Sequence, residues 1–137
     1  MTERVKEAKE WVSKATQDLH GALILREHEP PELALACFHS QQAVEKILKA
    51  YLVWQGVEFE RLHNVAYLLG LCQRADPAFE RLQGRVEVLQ PYAVEVRYPG
   101  PIQVSTEEAC EVFAVTAAAW NFTVERLPES VEAQLLD

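Results

Sequence analysis

This sequence predicts an all-α fold, an up-and-down bundle of four to five helices. Apolar residues recur at three- and four-residue steps along most of its length, the period of a half-buried helix. Caps and prolines punctuate those runs at short intervals. No stretch alternates convincingly with period two except the brief Tyr92–Val96, so no sheet is expected. With 137 residues and neither repeats nor low-complexity segments, the chain reads as one domain. Its core runs from about residue 3 to about 128, and a short acidic tail follows.

The first helix is expected from about Glu3 to Arg26, where Val5, Ala8, Val12, Ala15, Leu19 and Ala22 form a bundle seam. Pro30 and Pro31 end it, because fixed φ and missing donors stop one helix and suit the first turn of the next. The second helix carries Leu33, Ala36, Val44, Ile47, Leu48, Tyr51 and Trp54, with Gly56 as its left-handed terminator. Asn64 caps a short helix with Val65, Leu68, Leu69 and Cys72 on one face. Asp76-Pro77 starts another, in which Phe79, Leu82, Val86 and Leu89 continue a helical stripe that Pro91 should kink. Tyr98-Pro-Gly-Pro101 is a stiff loop. Ser105-Thr-Glu-Glu108 is a capping box that opens a last helix through Val112, Thr116, Trp120, Val124 and Leu127, with Pro128 as its stop. Beyond Pro128 the tail is expected to be helical or frayed.

Composition narrows the function classes. Hydrophobic residues make up 49% and charged residues 25%, which is globular and argues against disorder. Thirteen Lys and Arg face 21 Asp and Glu, a formal charge of −8, so the overall field repels phosphate backbones. Any nucleic-acid contact must come from a local basic patch. Cys37, Cys72 and Cys110 are an odd number, far apart and without a CxxC, which opposes a disulfide scaffold or a zinc ribbon. They read as small core residues. The charged start Met1–Glu7 leads straight into a helix, so no signal peptide is expected. No apolar run approaches the ~20 residues of a membrane span. A cytoplasmic protein with no membrane partner is the expectation.

The most informative stretch is Cys37–Leu52. Its apolar face is that of a core helix, yet His39, Gln42, Lys46 and Lys49 line an adjoining stripe at spacings of three, four and three. A helix needing only burial would place alanine or leucine at several of those positions. The pattern describes a helix that packs on one side and presents chemistry on the other.

Four phrases in order carry a family resemblance. Trp11 with Ala15-Thr-Gln-Asp18-Leu19-His-Gly-Ala22, then Phe38-His-Ser-Gln-Gln-Ala-Val-Glu-Lys-Ile-Leu-Lys-Ala, then His63, then Arg97-Tyr98-Pro99 together resemble the HEPN family. These are small all-helical domains, and the resemblance spans about Trp11 to Leu127. It implies nucleotide or RNA binding, a homodimer, and a minimal nucleotidyltransferase as partner in a two-component toxin–antitoxin pair. It also implies that Arg97 faces a phosphate, that the second helix neighbours the Arg-Tyr-Pro loop, and that Asp18 is more than a surface residue.

The residues have their own readings. Arg97 offers a planar fork of donors and a permanent charge, held between a helix end and a proline-stiffened loop. Its structural alternative is to tie loop carbonyls or Glu95. His39 is either a half-buried packing residue or a donor and proton carrier near phosphate. His63 either packs at a helix start or uses the amide donors there to help hold an anion. Lys46 is either a phosphate-binding cation or, like Lys49, solvated, with Glu45 and Lys49 an i,i+4 pair in the favourable order. Tyr98 either stacks on a base or packs.

RNA-cutting members of the family carry an arginine followed after four to six residues by a histidine, near the start of the last helix. Here Arg97 is followed by Tyr-Pro-Gly-Pro-Ile-Gln-Val, and His63 is the last histidine of the chain. The group that would exchange a proton with the 2′-hydroxyl or the leaving oxygen is missing from its usual place. Binding without cleavage is therefore the leading expectation. The alternatives are a ribonuclease with a rearranged site using His39 or His63, and a non-catalytic helical interaction module whose polar stripe is interface. Paired Glu-x-x-His motifs, clustered zinc ligands, a P-loop and GxGxxG are all absent, so neither metal nor cofactor is expected.

Overall fold

A computed structural model describes residues 2–94 and 103–137. It contains α1 (Glu3–Glu27), α2 (Leu33–Gln55), α3 (Val65–Ala75), two 3-10 segments (Pro77–Leu82 and Val86–Tyr92), α4 (Thr106–Val124) and a final 3-10 turn (Glu129–Val131). No strand occurs among the described residues. The expected helical bundle is what forms. The Tyr98–Pro101 loop, with Arg97, lies outside the described residues.

The caps act where the sequence places them. Thr2 Oγ1 accepts from the Val5 amide at 3.2 Å, and Asn64 Oδ1 accepts from the Tyr67 amide at 2.9 Å. Ser105 and Glu108 exchange both bonds of the capping box. Gly56 closes α2 at φ 74°, the left-handed region that a side chain disfavours.

α2 is the hub, since α1, α3, α4 and the second 3-10 segment all pack on it. On the α1 side, Ala8, Ala15 and Ala22 recur at every seventh residue, as do Ala36, Ala43 and Ala50 on α2, and all six are buried. Small side chains along such a seam let two helices approach closely. On the other side Val44, Leu48 and Leu52 join Leu68, Leu69, Phe79, Leu82, Leu89 and Val112 in the larger core. There Phe79 stacks at 4.8 Å from Tyr51 and 5.0 Å from Phe122. Arg126 lies 3.4 Å above the Phe122 ring and pairs with Asp76, so the end of α4 is tied to the cap of the first 3-10 segment.

Three expectations change. The Phe79–Leu89 stripe does not form one kinked helix. It breaks into two 3-10 pieces at Gly84, which adopts φ 82°, before Pro91 is reached. Apolar side chains three residues apart serve a 3-10 turn as well as an α-helix, so the stripe itself does not choose. α4 ends at Val124, four residues before Pro128. The tail is neither frayed nor simply helical: after one 3-10 turn it docks on the bundle, with Val131 only 1% exposed.

Cys37 and Cys72 are buried core residues as expected, whereas Cys110 is exposed on α4. Burial first, and Glu108 second, push the Cys37 thiol up to about 11. Burial pushes Cys72 up as well. The reactive species is the thiolate, so accessibility and acidity point the same way. Treating the folded chain with iodoacetamide near neutral pH should add a single label, at Cys110, and denaturant should expose the other two. Labelling of Cys37 or Cys72 in the native chain at a rate close to that of Cys110 would contradict this packing.

Candidate functional site

The polar stripe of α2 resolves into two clusters, each built around a carboxylate. In the first, Asp18 of α1 reaches across to α2. Its Oδ1 sits 2.9 Å from His39 Nδ1 and its Oδ2 accepts from Lys46 Nζ at 2.6 Å. His39 and Lys46 are two helical turns apart, so one carboxylate spans the stripe and ties α1 to it. Phe38 packs edge-on against the His39 ring.

In the second cluster Glu45 is only 1% exposed. Its Oε1 accepts from Lys49 Nζ at 3.0 Å and lies 3.0 Å from His63 Nδ1, while Oε2 accepts from Gln42 Nε2 at 3.1 Å. Gln42 also donates to Gln41 Oε1. The buried Gln41 Nε2 finds no partner among the described residues. Lys49 runs between two aromatic rings, with Nζ 5.2 Å from the Trp11 centroid and 5.7 Å from that of Phe59. This ammonium is half caged by carboxylate and π faces, contrary to the solvated lysine that the i,i+4 spacing suggests.

The second 3-10 segment explains why His63 stands where it does. Gln90 donates to the His63 carbonyl at 3.0 Å and accepts from the Val65 amide at 3.3 Å. The chain entering α3 is clamped from both sides, and the imidazole is delivered to Glu45. With Nδ1 against a carboxylate in both histidines, Nδ1 carries the proton and Nε2 is the remaining ring nitrogen.

Depth sorts the charges. The carboxylates lie behind, with Asp18 at 13% side-chain exposure and Glu45 at 1%. In front of them stand Lys46 at 26%, His39 at 33% and His63 at 51%. A carboxylate behind an ammonium fixes its position without using all three of its hydrogens, and an imidazole held through Nδ1 keeps Nε2 turned away from the carboxylate. This arrangement can receive an anion, and each imidazole can exchange a proton through Nε2.

The structure thus joins His39 to Lys46 through Asp18, and His63 to Lys49 through Glu45. Neither histidine bonds to the other cluster. Arg97 and Tyr98 lie outside the described residues. Sequence reading missed the role of Glu45, along with Trp11, Phe59 and Gln90. A helical wheel carries the signal for Glu45: it falls within the arc of Gln41, Leu48 and Leu52, at steps of four, three and four, and so points inward. A cavity of about 730 Å³ beyond Trp11 and Phe59 is lined by Glu3, Glu7, Glu10 and Glu58 against Arg4 and Lys6. That excess of carboxylates makes it a poor phosphate site. No group of three or more metal-ligating side chains is assembled among the described residues.

Comparison with known proteins agrees with this architecture. The HEPN domain model matches residues 8–127, and the chain belongs to that family. A protein of Methanocaldococcus jannaschii named "Putative toxin MJ1304" is 32% identical over 105 residues, which cover 71% of this chain and 66% of the relative. The alignment therefore spans just under two thirds of that protein's length. No solved structure gives a significant match. Among the described residues no helix is long and apolar enough to cross a membrane.

The two carboxylates should differ sharply in what they hold up. Glu45→Gln strands a buried Lys49, and breaking a buried pair costs about 3 kcal/mol or more. Asp18→Asn affects a partly exposed pair and should cost about 1 kcal/mol or less. Urea denaturation followed by circular dichroism measures both. Equal losses would mean that the Glu45 cluster is not the anchored one.

Proposed function

We propose that this chain is a nucleotide- or RNA-binding HEPN domain that works with a partner protein in a toxin–antitoxin pair. The observation that carries the reading is the layering of the α2 stripe. His39, Lys46 and His63 stand in front, each fixed from behind by a carboxylate, Lys46 as a donor and the two imidazoles as donors when Nε2 is also protonated. In a chain of charge −8 this is a local site for a phosphate group, with no general attraction to nucleic acid. The family and the archaeal relative's name support the toxin–antitoxin setting. The family resemblance supports a minimal nucleotidyltransferase as partner, a homodimeric state and a cytoplasmic location, and three free cysteines suit a reducing compartment. Apolar surface that self-association could cover is found at Ile24 (68% exposed) and Leu35 (45%), whereas Trp120 and Phe122 are buried within the bundle.

Arg97 is the proposed phosphate anchor on the strength of the Arg97-Tyr98-Pro99 phrase, with Tyr98 beside it. A charge-assisted contact is worth roughly 1.5–3 kcal/mol, so Arg97→Ala should weaken binding about tenfold to a hundredfold. Arg97→Lys should recover only part of that, because a point charge lacks the bidentate fork. Lys46→Ala should weaken binding in the same direction while the fold persists. Anisotropy of a labelled RNA oligonucleotide, with ATP and inorganic phosphate as competitors, reads these effects. Unchanged affinity in both Arg97→Ala and Lys46→Ala would remove the site from consideration.

The His63–Glu45 contact supports one further reading, a ribonuclease in which His63 does the work of the missing downstream histidine. The leading reading expects the purified chain not to cleave generic RNA efficiently. Metal-free cleavage that survives repurification and is lost in His63→Ala would transfer the function to the ribonuclease reading.

A further inference from the structure

Gly70 stands in the middle of α3, on the face turned away from the buried Leu68, Leu69 and Cys72. Glycine weakens a helix interior relative to alanine, so its presence there calls for a physical reason. Two common reasons fail. Among the described glycines only Gly56 and Gly84 have positive φ, so Gly70 does not serve a left-handed turn. A Cβ built on it would meet nothing within 4 Å, so no neighbour in the described chain needs the space. What remains is close approach to the backbone from outside the chain.

The space over Gly70 is a notch of about 570 Å³, lined by Tyr67, Leu71, Gln73 and Arg74. That volume is within the range of ligand pockets. Tyr67 is a fixed wall: its hydroxyl accepts from the Glu60 amide at 3.1 Å, and its ring packs on the larger core. Arg74 is exposed, and among the described residues its guanidinium has no hydrogen bond, ion pair or ring contact. Arg26, Arg81 and Arg126 by contrast each lie over a phenylalanine ring. The last turn of a helix favours a cation, which accounts for charge at Arg74 and not for the glycine before it. The local charge also differs from that of the whole. In a chain of −8, residues 61–94 hold four arginines against three carboxylates, and one of those, Asp76, is paired with Arg126. A fixed aromatic face, bare backbone and a free guanidinium suit a stacked base and its phosphate. A partner helix would seek apolar area, and of the lining residues Leu71 alone is aliphatic.

We infer that this notch is a second subsite for single-stranded RNA, in which one base stacks on Tyr67 over the Gly70 backbone and Arg74 meets a phosphate. The subsite rests on the nucleotide- or RNA-binding reading of the chain, whose ligand it narrows to a strand. α3 separates His63, just before its start, from Arg74 in its last turn by about 16 Å along the helix axis. A nucleoside monophosphate is too short to meet both, whereas a strand of linked nucleotides does. Stacking uses the face of a base and not its edge, so little sequence preference is expected.

The full chain is titrated with a labelled single-stranded RNA of about ten nucleotides, with the same strand carrying abasic residues, and with inorganic phosphate. The parent should bind the abasic strand about tenfold more weakly than the RNA, because the stacked base is gone. Equal binding of the two strands by the parent overturns the subsite, whatever the variants do. Gly70→Leu fills open space with a better helix former, so its urea midpoint should equal or exceed the parent's. It should bind RNA about tenfold more weakly and the abasic strand as the parent does, since base and notch report one contact. Its phosphate affinity, set at the α2 stripe, should not move. Arg74→Ala should lower the salt dependence of RNA binding by about one phosphate contact. Parental RNA binding in both variants, with a loss in Lys46→Ala, overturns the subsite and leaves the α2 site standing. A parent that binds neither RNA nor phosphate overturns both. Full RNA affinity in Gly70→Leu with loss of a copurifying partner chain gives the notch to a protein and overturns the subsite as well.

Discussion

A carboxylate at the centre of α2 governs the arrangement around it. Glu45 is withdrawn from water almost completely, and an ionised group there is tolerated only with partners on both oxygens. Lys49 and Gln42 come from the same helix, which local spacing provides. His63 must be brought from the connector before α3, and Gln90 holds that connector from the second 3-10 segment. The ammonium of Lys49 in turn recruits Trp11 from α1 and Phe59 from the connector after α2. One buried charge thereby sets relations among α1, α2, the path into α3 and the 3-10 region. A hydrophobic residue would fill the same volume with less desolvation cost, so stability alone does not account for the choice.

The arrangement makes better sense as preparation of the residues in front. An exposed lysine samples many rotamers and loses that freedom when it binds an anion, whereas one already held by a carboxylate has lost it during folding. The same holds for each imidazole, whose tautomer is selected by the acid behind it. Asp18 repeats the device on the neighbouring turn with His39 and Lys46. Two nearly neutral clusters, with donors forward and acids back, reconcile phosphate binding with a chain whose overall charge opposes it.

Much of this was legible in the sequence, and the illegible parts share a cause. Ser105–Glu108, Asn64 and Gly56 announce helix ends because capping is local chemistry within three or four residues. The seam of α1 is legible for the same reason. Gly84 is less so, because a 3-10 turn and an α-helix share the three-residue step, and only the positive φ shows where the stripe breaks. His39, Lys46 and His63 stand out as polar residues beside an apolar face. Their partners do not, because Asp18 is 21 residues from His39 and Glu45 is 18 from His63. The i,i+4 rule placed Glu45 and Lys49 together correctly and in the wrong medium, since spacing on a helix reports adjacency and not depth.

The tail is the sharpest instance. Residues 129–137 have three acids and little periodicity, and such composition ordinarily means solvent. What holds them is mostly not their side chains. Trp120 and Asn121 bind carbonyl and amide groups that every residue possesses, so the tail's own sequence need supply only Val131 and Leu136 as apolar anchors. The information sits in α4, where an asparagine interrupts an otherwise apolar turn. α1 then has two neighbours with opposite chemistry. Trp11 and Asp18 meet the polar stripe of α2, and Ala8, Val12 and Leu19 meet the seam and the tail. α1 packs through five buried positions, Ala8, Val12, Ala15, Leu19 and Ala22, and its alanines at every seventh residue, small enough for α2 to approach, set together the geometry of the donors and of the cleft that holds the tail.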